Sequence, residues 1–507
     1  MDRPVGIDAL GVYIPKLYVD LTGEWAVRRA PLLSGGDVAK LVGKVTDGVG
    51  VRRMAVVDAH QDCATLAAMA AKRAIDAGGI DPRDIDYLAV GTETTVDQSK
   101  SIAAYVLGML ERHYGVSLAD VGAPQFQFAC VGATYALESA VSRIRAGDNV
   151  KPYALVVASD VSKYPLATAG EYTQGAGAVA LLVSQNPRVL ALDRGACGTV
   201  TRDERDFFRP NWTASAVVDG KYSIDVYLDS VGAALASYAS RARGLGFDEA
   251  GLYDAVDHFL FHVPFPRMAE YAALRVFGGL WLASDGARAE LAREVPLAAS
   301  GPSGEIAAWR KEFERALAKS ATFRAAFARK VAPSLVLARD VGNVYSGSLY
   351  LSLVSLLEQT RGEALAGRRV LLASYGSGAS AKVFSGVVAE RYGEMVRDLR
   401  VQRDLLPESE GGVRVPLHLG EYERLHALSD SEIDLPREVA MKVHEALPLD
   451  AAETAAVRAA LAGPRWRVRS RGASIRPPRE EFALERLGTT ASAERTDVGY
   501  RYYGWVS

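Results

Sequence analysis

Apolar and polar positions alternate along the chain in short runs separated by helical stripes, the pattern of a mixed α/β protein. Val5 to Tyr13 alternates like a strand and Ile14-Pro15 stops it. From Asp58 to Asp76 the pattern is helical, with Leu66, Met69, Ala70 and Ala74 on one stripe, which places Cys63 on a buried helix face as a structural residue. Asp86 to Glu93 reads as a buried strand ending in Gly91, Thr92 and Glu93, and Ser99 to Arg112 as the next helix. A β-prone run from Pro124 to Phe128 then meets Cys130, a few small residues and a helical stripe through Tyr135, Leu137, Val141 and Ile144. That order predicts strand, sharp turn, helix. Tyr153 to Asp160 predicts another strand, Gly175 to Val183 a glycine-rich turn into a strand, and Arg188 to Val200 a strand that contains Cys197.

The second half repeats this order. Asp257 to Pro264 is a strand ending in His262, in the place Glu93 holds in the first half. Val341 to Ser348 leads into a helix over Leu349 to Glu358, as the Cys130 turn leads into its own, and Arg368 to Ser374 runs through Tyr375-Gly-Ser-Gly378 into a further strand. Such internal symmetry predicts duplication of one α/β unit, spanning 1–186 and 187–400. Two halves packed about a pseudo-twofold axis bring equivalent strand ends together, so Glu93, Cys130, His262 and Asn343 are expected in one pocket. A helical insertion over about 278–335 in the second half, with Trp309, Phe313, Leu317, Phe323 and Phe327 near helical spacing, is expected to cap the duplicated core. Residues 401–507 read as an extension packing on that same half, with short helices around Glu421 and Glu453 and a strand-like end from Tyr500 to Trp505.

Composition narrows the function. The 507 residues carry a net charge of -2 from well-mixed acids and bases, which gives no nucleic-acid surface and no polybasic membrane patch. The basic stretch Arg465 to Arg471, within a proline-containing connection from Pro464 to Pro478, reads as solvated surface. No segment has the uninterrupted apolar length of a membrane span and the start has no leader pattern, so a soluble cytoplasmic protein is expected. The cysteines Cys63, Cys130 and Cys197 are too scattered for a disulfide framework or a zinc site. The glycine-rich turn at Gly175 lacks the spacing of a P-loop or a dinucleotide fingerprint.

Candidate chemistry centres on Cys130. A helix N-terminus favours negative charge, so the thiol is expected to ionise more readily there. An acid at a strand end, such as Glu93, can be dry enough to have a raised pKa and serve as a base near neutrality. Each residue also has a plainer reading: a buried cysteine, a solvated loop carboxylate, a core histidine at His262, a turn-stabilising Asn343 and a small turn residue at Ser377.

Taken together the motifs resemble 3-hydroxy-3-methylglutaryl-CoA synthase, a family of the thiolase superfamily. The resemblance is carried by Gly91-Thr-Glu-Thr-Thr-Val-Asp-Gln-Ser-Lys100, Ala129-Cys-Val-Gly-Ala-Thr134, Ala158-Ser-Asp160, Thr173-Gln-Gly-Ala-Gly-Ala178, Val218-Asp-Gly220, Phe261-His-Val-Pro264, Gly342-Asn-Val-Tyr-Ser-Gly-Ser348 and Ser374-Tyr-Gly-Ser-Gly378. It implies a duplicated five-layer α-β-α-β-α thiolase-like fold and a homodimer. It also implies catalytic roles for Glu93, Cys130, His262 and Asn343, and substrate-binding roles for Asp160, Thr173, Gly175, Arg267, Tyr345, Gly376 and Ser377. The implied reaction condenses acetyl-CoA with acetoacetyl-CoA through an acetyl-cysteine, as in mevalonate and isoprenoid synthesis, without metal or redox cofactor. The enolate would be held by backbone N–H groups at Cys130 and in Gly376-Ser-Gly378. The chain departs from the family at Val131, where an aromatic residue is usual, in Glu171-Tyr-Thr-Gln174, where proline is usual, and at Arg267, where lysine is usual.

Three other readings compete. A relative from polyketide β-branching performs the same step on an acetoacetyl group held by an acyl carrier protein. Ketoacyl synthases and thiolases stop at Claisen condensation, but they use histidine pairs or a second cysteine where this chain has Glu93 and the His262 motif. A non-catalytic acyl-CoA-binding protein on the same fold would not need the four polar residues the chain retains.

Overall fold

The computed structural model describes residues 3–210, 215–301, 305–361, 365–427, 439, 442, 448–462, 474–487 and 500–507. Among these described residues nine strands form the main sheet. The first half supplies β1 (Val5–Tyr13), β2 (Ile85–Gly91), β3 (Gln125–Phe126), β4 (Tyr153–Val161) and β5 (Ala176–Gln185). The second supplies β6 (Leu190–Thr201), β7 (His258–Phe261), β8 (Arg369–Gly376) and β9 (Ser380–Val388). In the first half β2 and β4 are parallel, while β4–β5 and β5–β1 are antiparallel. In the second, β7 and β8 are parallel, while β8–β9 and β9–β6 are antiparallel. The pairing pattern is therefore duplicated, as the order of motifs predicts. A short β1–β6 pairing, Gly6 with Ala191 and Ile7 with Leu190, joins the halves in the order β7-β8-β9-β6-β1-β5-β4-β2-β3.

Alternation along the strands then builds the layers. On β4, Leu155 and Val157 face helix α1 (Cys63–Gly78), whereas Val156 and Ala158 face a middle layer made by α2 (Gly132–Ala146) and α4 (Ser348–Gln359). Leu260 and Leu372 of the second half meet that same middle layer, while Phe259, Phe261 and Leu371 face outward onto α3 (Gly220–Ala242). The result is the five-layer α-β-α-β-α arrangement. Full burial of each such Leu, Val or Phe contributes about 1.5–3 kcal/mol over leaving it exposed. The duplication extends to backbone contacts. A Cβ on Gly11 of β1 would stand 2.1 Å from the Ala70 carbonyl oxygen of α1, and one on Gly198 of β6 would stand 1.9 Å from the Ala234 carbonyl oxygen of α3. Only glycine permits either approach of helix to strand.

Several expected boundaries move. The helix predicted from Asp58 starts at Cys63, because Asp62 caps it by accepting from the Ala64 and Thr65 amides. The insertion expected from about 278 begins later, since one helix runs unbroken from Pro266 to Ala283. Beyond it, Ile306–Leu317 and Ala321–Lys330 are separate helices, the second capped by Ser320, and their Trp309, Phe313 and Phe323 pack on the second half.

The extension packs on the second half as expected at its start, where Val401 and Leu405 join the α4 core and the Gln402 amide donates to Glu358 at 3.0 Å, but the rest of it reaches the first half. Its hairpin, Glu481–Leu487 paired with Arg501–Val506, lies on the first half, where Phe482, Leu484 and Tyr503 join the α1 core. Buried polar contacts fix it there: Tyr13 donates to Glu481, and Arg501 and Tyr503 donate to Asp62 at 2.7 and 2.9 Å. Its helix Leu419–His426 packs on a small first-half sheet formed with Leu17–Asp20 and Arg53–Val56. The basic stretch Arg465 to Arg471 lies outside the described residues. No helix among the described residues is long and apolar enough to cross a membrane.

Candidate active site

Cys130 sits in the turn between β3 and α2, one residue before the helix N-cap, Val131. Ala129 just before it has φ of +38°, a conformation that non-glycine residues rarely hold and that concentrates at functional turns. The Cys130 thiol donates to Glu93 Oε2 across 3.3 Å. Glu93 follows the C-terminal end of β2 and is almost fully buried. Arg209 closes the other side, with Nη2 on Glu93 Oε1 at 2.8 Å and Nη1 on the Glu93 carbonyl oxygen at 2.6 Å.

These contacts set the charge states. Burial pushes the Glu93 carboxyl up to about 7; Arg209 opposes that shift and Asp160 adds to it. The Cys130 thiol is also pushed well up, first by burial and then by the charges of Glu93 and Asp160. This reverses the expectation that the helix N-terminus would ease ionisation. The dipole is worth a fraction of a kcal/mol up to about 2 kcal/mol, and burial beside two carboxylates outweighs it. The resting nucleophile is thus a thiol already hydrogen-bonded to a carboxylate that ionises near neutrality. Cys130 itself is only partly covered, whereas Cys63 is buried against the Ser159 carbonyl oxygen at 3.0 Å and pushed up to about 12 by burial, which leaves it inert.

The second half reaches Cys130 through the turn after β8. A Cβ on Gly376 would stand 2.7 Å from the Val131 nitrogen and 3.0 Å from the Phe128 carbonyl oxygen, so this glycine seats one half on the nucleophile turn of the other. Asp206, fully buried, pins the same turn by accepting from the Gly378 amide at 3.0 Å and from Tyr375 at 3.1 Å. The Gly378 N–H is thereby committed and is not available to an enolate oxygen, contrary to expectation. His262 follows β7, is buried, and faces the rings of Tyr227 and Tyr375 at 6.4 and 6.5 Å. Burial lowers it to about 3, so the imidazole is neutral at pH 7. Its ring makes no hydrogen bond to a described residue, which leaves it free to donate to a ligand.

Asn343 behaves partly as a turn residue. Its Oδ1 accepts from the Tyr345 amide at 2.8 Å and from Ser348 Oγ at 2.9 Å, which leaves its Nδ2 group uncommitted to either contact. Tyr345 has φ of +43° and its ring joins Tyr164, Phe207 and Cys130 in one small cluster. That cluster places the Asn343 turn beside the nucleophile.

Most residues expected to touch substrate make contacts that support the site. Asp160 is fully buried, and its Oδ1 accepts from Thr92 Oγ1, the Glu93 and Thr94 amides and Thr94 Oγ1, while its Oδ2 accepts from the amide and hydroxyl of Ser346. Both of its oxygens are thus engaged in holding Glu93 and the Asn343 turn. Thr173 holds Asn343 through its carbonyl oxygen at 2.9 Å, and a Cβ on Gly175 would meet the Val341 carbonyl oxygen at 2.5 Å. Both therefore act on the turn. Arg267 is engaged with Glu270 and, at 2.6 Å, with the Asp47 carbonyl oxygen. Ser377 lies in the turn that Asp206 pins.

Two residues that sequence reasoning missed, Asp206 and Arg209, come from one loop, Arg205-Asp-Phe-Phe-Arg-Pro210. The available signal was an acid and a base framing two aromatic residues between predicted strands. A third, His426, donates its Nε2–H to the Tyr164 carbonyl oxygen at 2.9 Å and to Gln174 Oε1 at 3.2 Å. Both partners are acceptors, which fixes the tautomer and ties the extension to the loop that carries Tyr164.

Comparison with known proteins identifies the family. The family model for the hydroxymethylglutaryl-coenzyme A synthase N terminal region matches residues 1–188, and that for the C terminal region matches residues 190–408. The chain is 33% identical over 444 residues to the hydroxymethylglutaryl-CoA synthase of Enterococcus faecalis, covering 86% of this chain and 96% of that protein. It is 31% identical over 440 residues to that of Haloferax volcanii, covering 85% and 93%. In structure it is similar to MvaS in complex with 3-hydroxy-3-methylglutaryl coenzyme A, with a TM-score of 0.75, 32% identity and both chains fully covered. A curacin biosynthetic pathway HMG synthase in complex with acetyl donor-ACP is similar at a TM-score of 0.66 and 25% identity, covering 99% of this chain and all of that one.

Proposed function

The chain belongs to the hydroxymethylglutaryl-CoA synthase family, acyltransferases that condense acetyl-CoA with acetoacetyl-CoA and water, and on that premise we propose how its residues divide the reaction. Cys130 is the acyl carrier and Glu93 the proton carrier. The observation that supports both is the 3.3 Å contact from the thiol to Glu93 Oε2.

Glu93 takes the thiol proton as Cys130 sulfur attacks the acetyl-CoA carbonyl, and returns it to the departing CoA sulfur. A pKa near 7 suits a group that must both accept and release a proton at neutral pH. The acetyl thioester has acidic methyl protons, and Glu93, ionised again, removes one. The carbon nucleophile so formed adds to the ketone of acetoacetyl-CoA. Neutral His262 and the Nδ2 group of Asn343 hold that ketone oxygen, and Glu93 gives back the methyl proton as the alkoxide forms. An imidazole whose pKa is lowered to about 3 by burial is not an imidazolium acid at pH 7, so its part is hydrogen bonding through its remaining N–H. Water then cleaves the thioester to Cys130. No step calls on a metal or redox cofactor.

Free acetoacetyl-CoA is the preferred acceptor over a carrier-bound one, because the relatives at 31–33% identity are named as CoA synthases whereas the carrier-bound structure stands at 25%. A place in mevalonate synthesis and a homodimer are part of the same proposal. So is the cytoplasm, where a reducing pool would keep a nucleophilic thiol unpaired. The test supplies acetyl-CoA with either acetoacetyl-CoA or acetoacetyl-carrier protein and identifies the products by mass. Hydroxymethylglutaryl-CoA from the free acceptor supports the proposal, whereas product on the carrier alone overturns it.

A further inference from the structure

The last step leaves a charge that Glu93, His262 and Asn343 do not balance. This inference rests on Cys130 as the acyl carrier. In that step a water oxygen bonds to the thioester carbon, the C–S bond breaks, one water proton goes to the leaving sulfur, and the new carboxylic acid releases its own proton to solvent, directly or by way of Glu93, which ends ionised. The product carboxylate therefore arises on the carbon that was bonded to Cys130 Sγ. That sulfur lies 3.3 Å from a Glu93 oxygen. Two carboxylates so close in a dry site repel each other strongly unless a cation faces both.

Among the described residues Arg209 is the cation that touches Glu93. Its Nη1 and Nη2 are spent on Glu93, its guanidinium lies 5.8 Å from the centre of the Tyr345 ring, and Tyr345 shares a cluster with Cys130. The remaining donor, Nε–H, is buried and has no acceptor among the described residues. A buried arginine donor without a partner is costly, and an arginine fork can serve two carboxylates at once. We propose that Arg209 is a binding residue for the product carboxylate, holding Glu93 with one edge and, through Nε–H, the carboxylate formed at Cys130 with the other.

Two readouts on Arg209→Gln and Arg209→Lys test this. Rapid quenching and intact mass separate the acetyl form of the enzyme from the condensed acyl form, which still carries CoA. Arg209→Gln should acetylate Cys130 and then accumulate the condensed form. Accumulation of the acetyl form instead would mean that Arg209 acts only through Glu93 and would overturn the proposal. The second readout compares binding of hydroxymethylglutaryl-CoA with 3-hydroxy-3-methylbutyryl-CoA, which lacks the carboxylate. Wild type should prefer the former by about tenfold or more, Arg209→Gln should bring the ratio near one, and Arg209→Lys should fall between them. An unchanged ratio in Arg209→Gln would sink the idea. Absence of any acyl form on wild-type Cys130 is a different failure, that of the underlying reading.

Discussion

Cys130 and Glu93 share one proton across 3.3 Å, and burial drives both ionisations upward together. At rest the proton sits on the sulfur, and the pair becomes reactive when a substrate carbonyl is present to receive the sulfur. Replacing Cys130 by Ser should leave the fold intact, remove the acetyl-enzyme and lower turnover by roughly a thousandfold or more. Acetylation that survives the change, read by mass, would take the nucleophile assignment away.

Glu93→Gln separates the two halves of the chemistry. The amide keeps the shape and still accepts from Arg209, but it carries no proton back and forth. Slow acetylation of Cys130 with no condensed product is expected. Full turnover by this variant would remove Glu93 from its role.

The pH profile follows from the direction of the Glu93 shift. The base must be ionised, so the rate of condensation should fall about tenfold per unit as pH drops below about 7. A limb near the ordinary glutamate value of about 4.3 would contradict a buried Glu93 base.

Stability should respond to acid through the buried imidazoles. His262 and His426 both stand at about 3 in the folded chain against about 6.5 when unfolded. The unfolded chain binds the extra protons as pH falls below 6.5, so stability is lost from there down to about 3, at up to about 1.4 kcal/mol per unit for each group. His262→Gln should flatten that decline in denaturant titrations between pH 6 and 4, and an unchanged slope would count against a neutral buried imidazole.

What the sequence made legible was the part of the site fixed by local order. Glu93 and His262 follow strand ends, and Cys130 and Asn343 lie in turns that lead into helices, so duplication alone was enough to group them. The sign of the Cys130 shift was not legible, because the helix dipole is local whereas the burial and the carboxylates of Glu93 and Asp160 come from tertiary packing. Asp160 shows the same limit. Its motif marks it as important, but only the six hydrogen bonds into its two oxygens reveal that it holds Glu93 and Ser346 in place. Arg209 arrives from a loop far along the chain, and the docking of the Glu481 hairpin depends on a match to Tyr13 and Asp62 that no periodicity encodes.

Asp160→Asn tests that positioning role. One of its oxygens would become an amide nitrogen facing the Ser346 or Glu93 donors, so Glu93 should be misplaced. A fall in kcat of about a hundredfold with little change in KM is expected. A large rise in KM with kcat preserved would return Asp160 to substrate binding.

The central claim is that Cys130 carries the acyl group and Glu93 moves its protons. It is tested most directly by incubating the protein with acetyl-CoA alone, digesting it, and locating the acetyl group by mass. An acetyl adduct on the peptide containing Cys130, discharged with formation of hydroxymethylglutaryl-CoA when acetoacetyl-CoA is added, is the predicted result. Product formation with Cys130 unmodified throughout, or an adduct confined to another residue, would contradict the account.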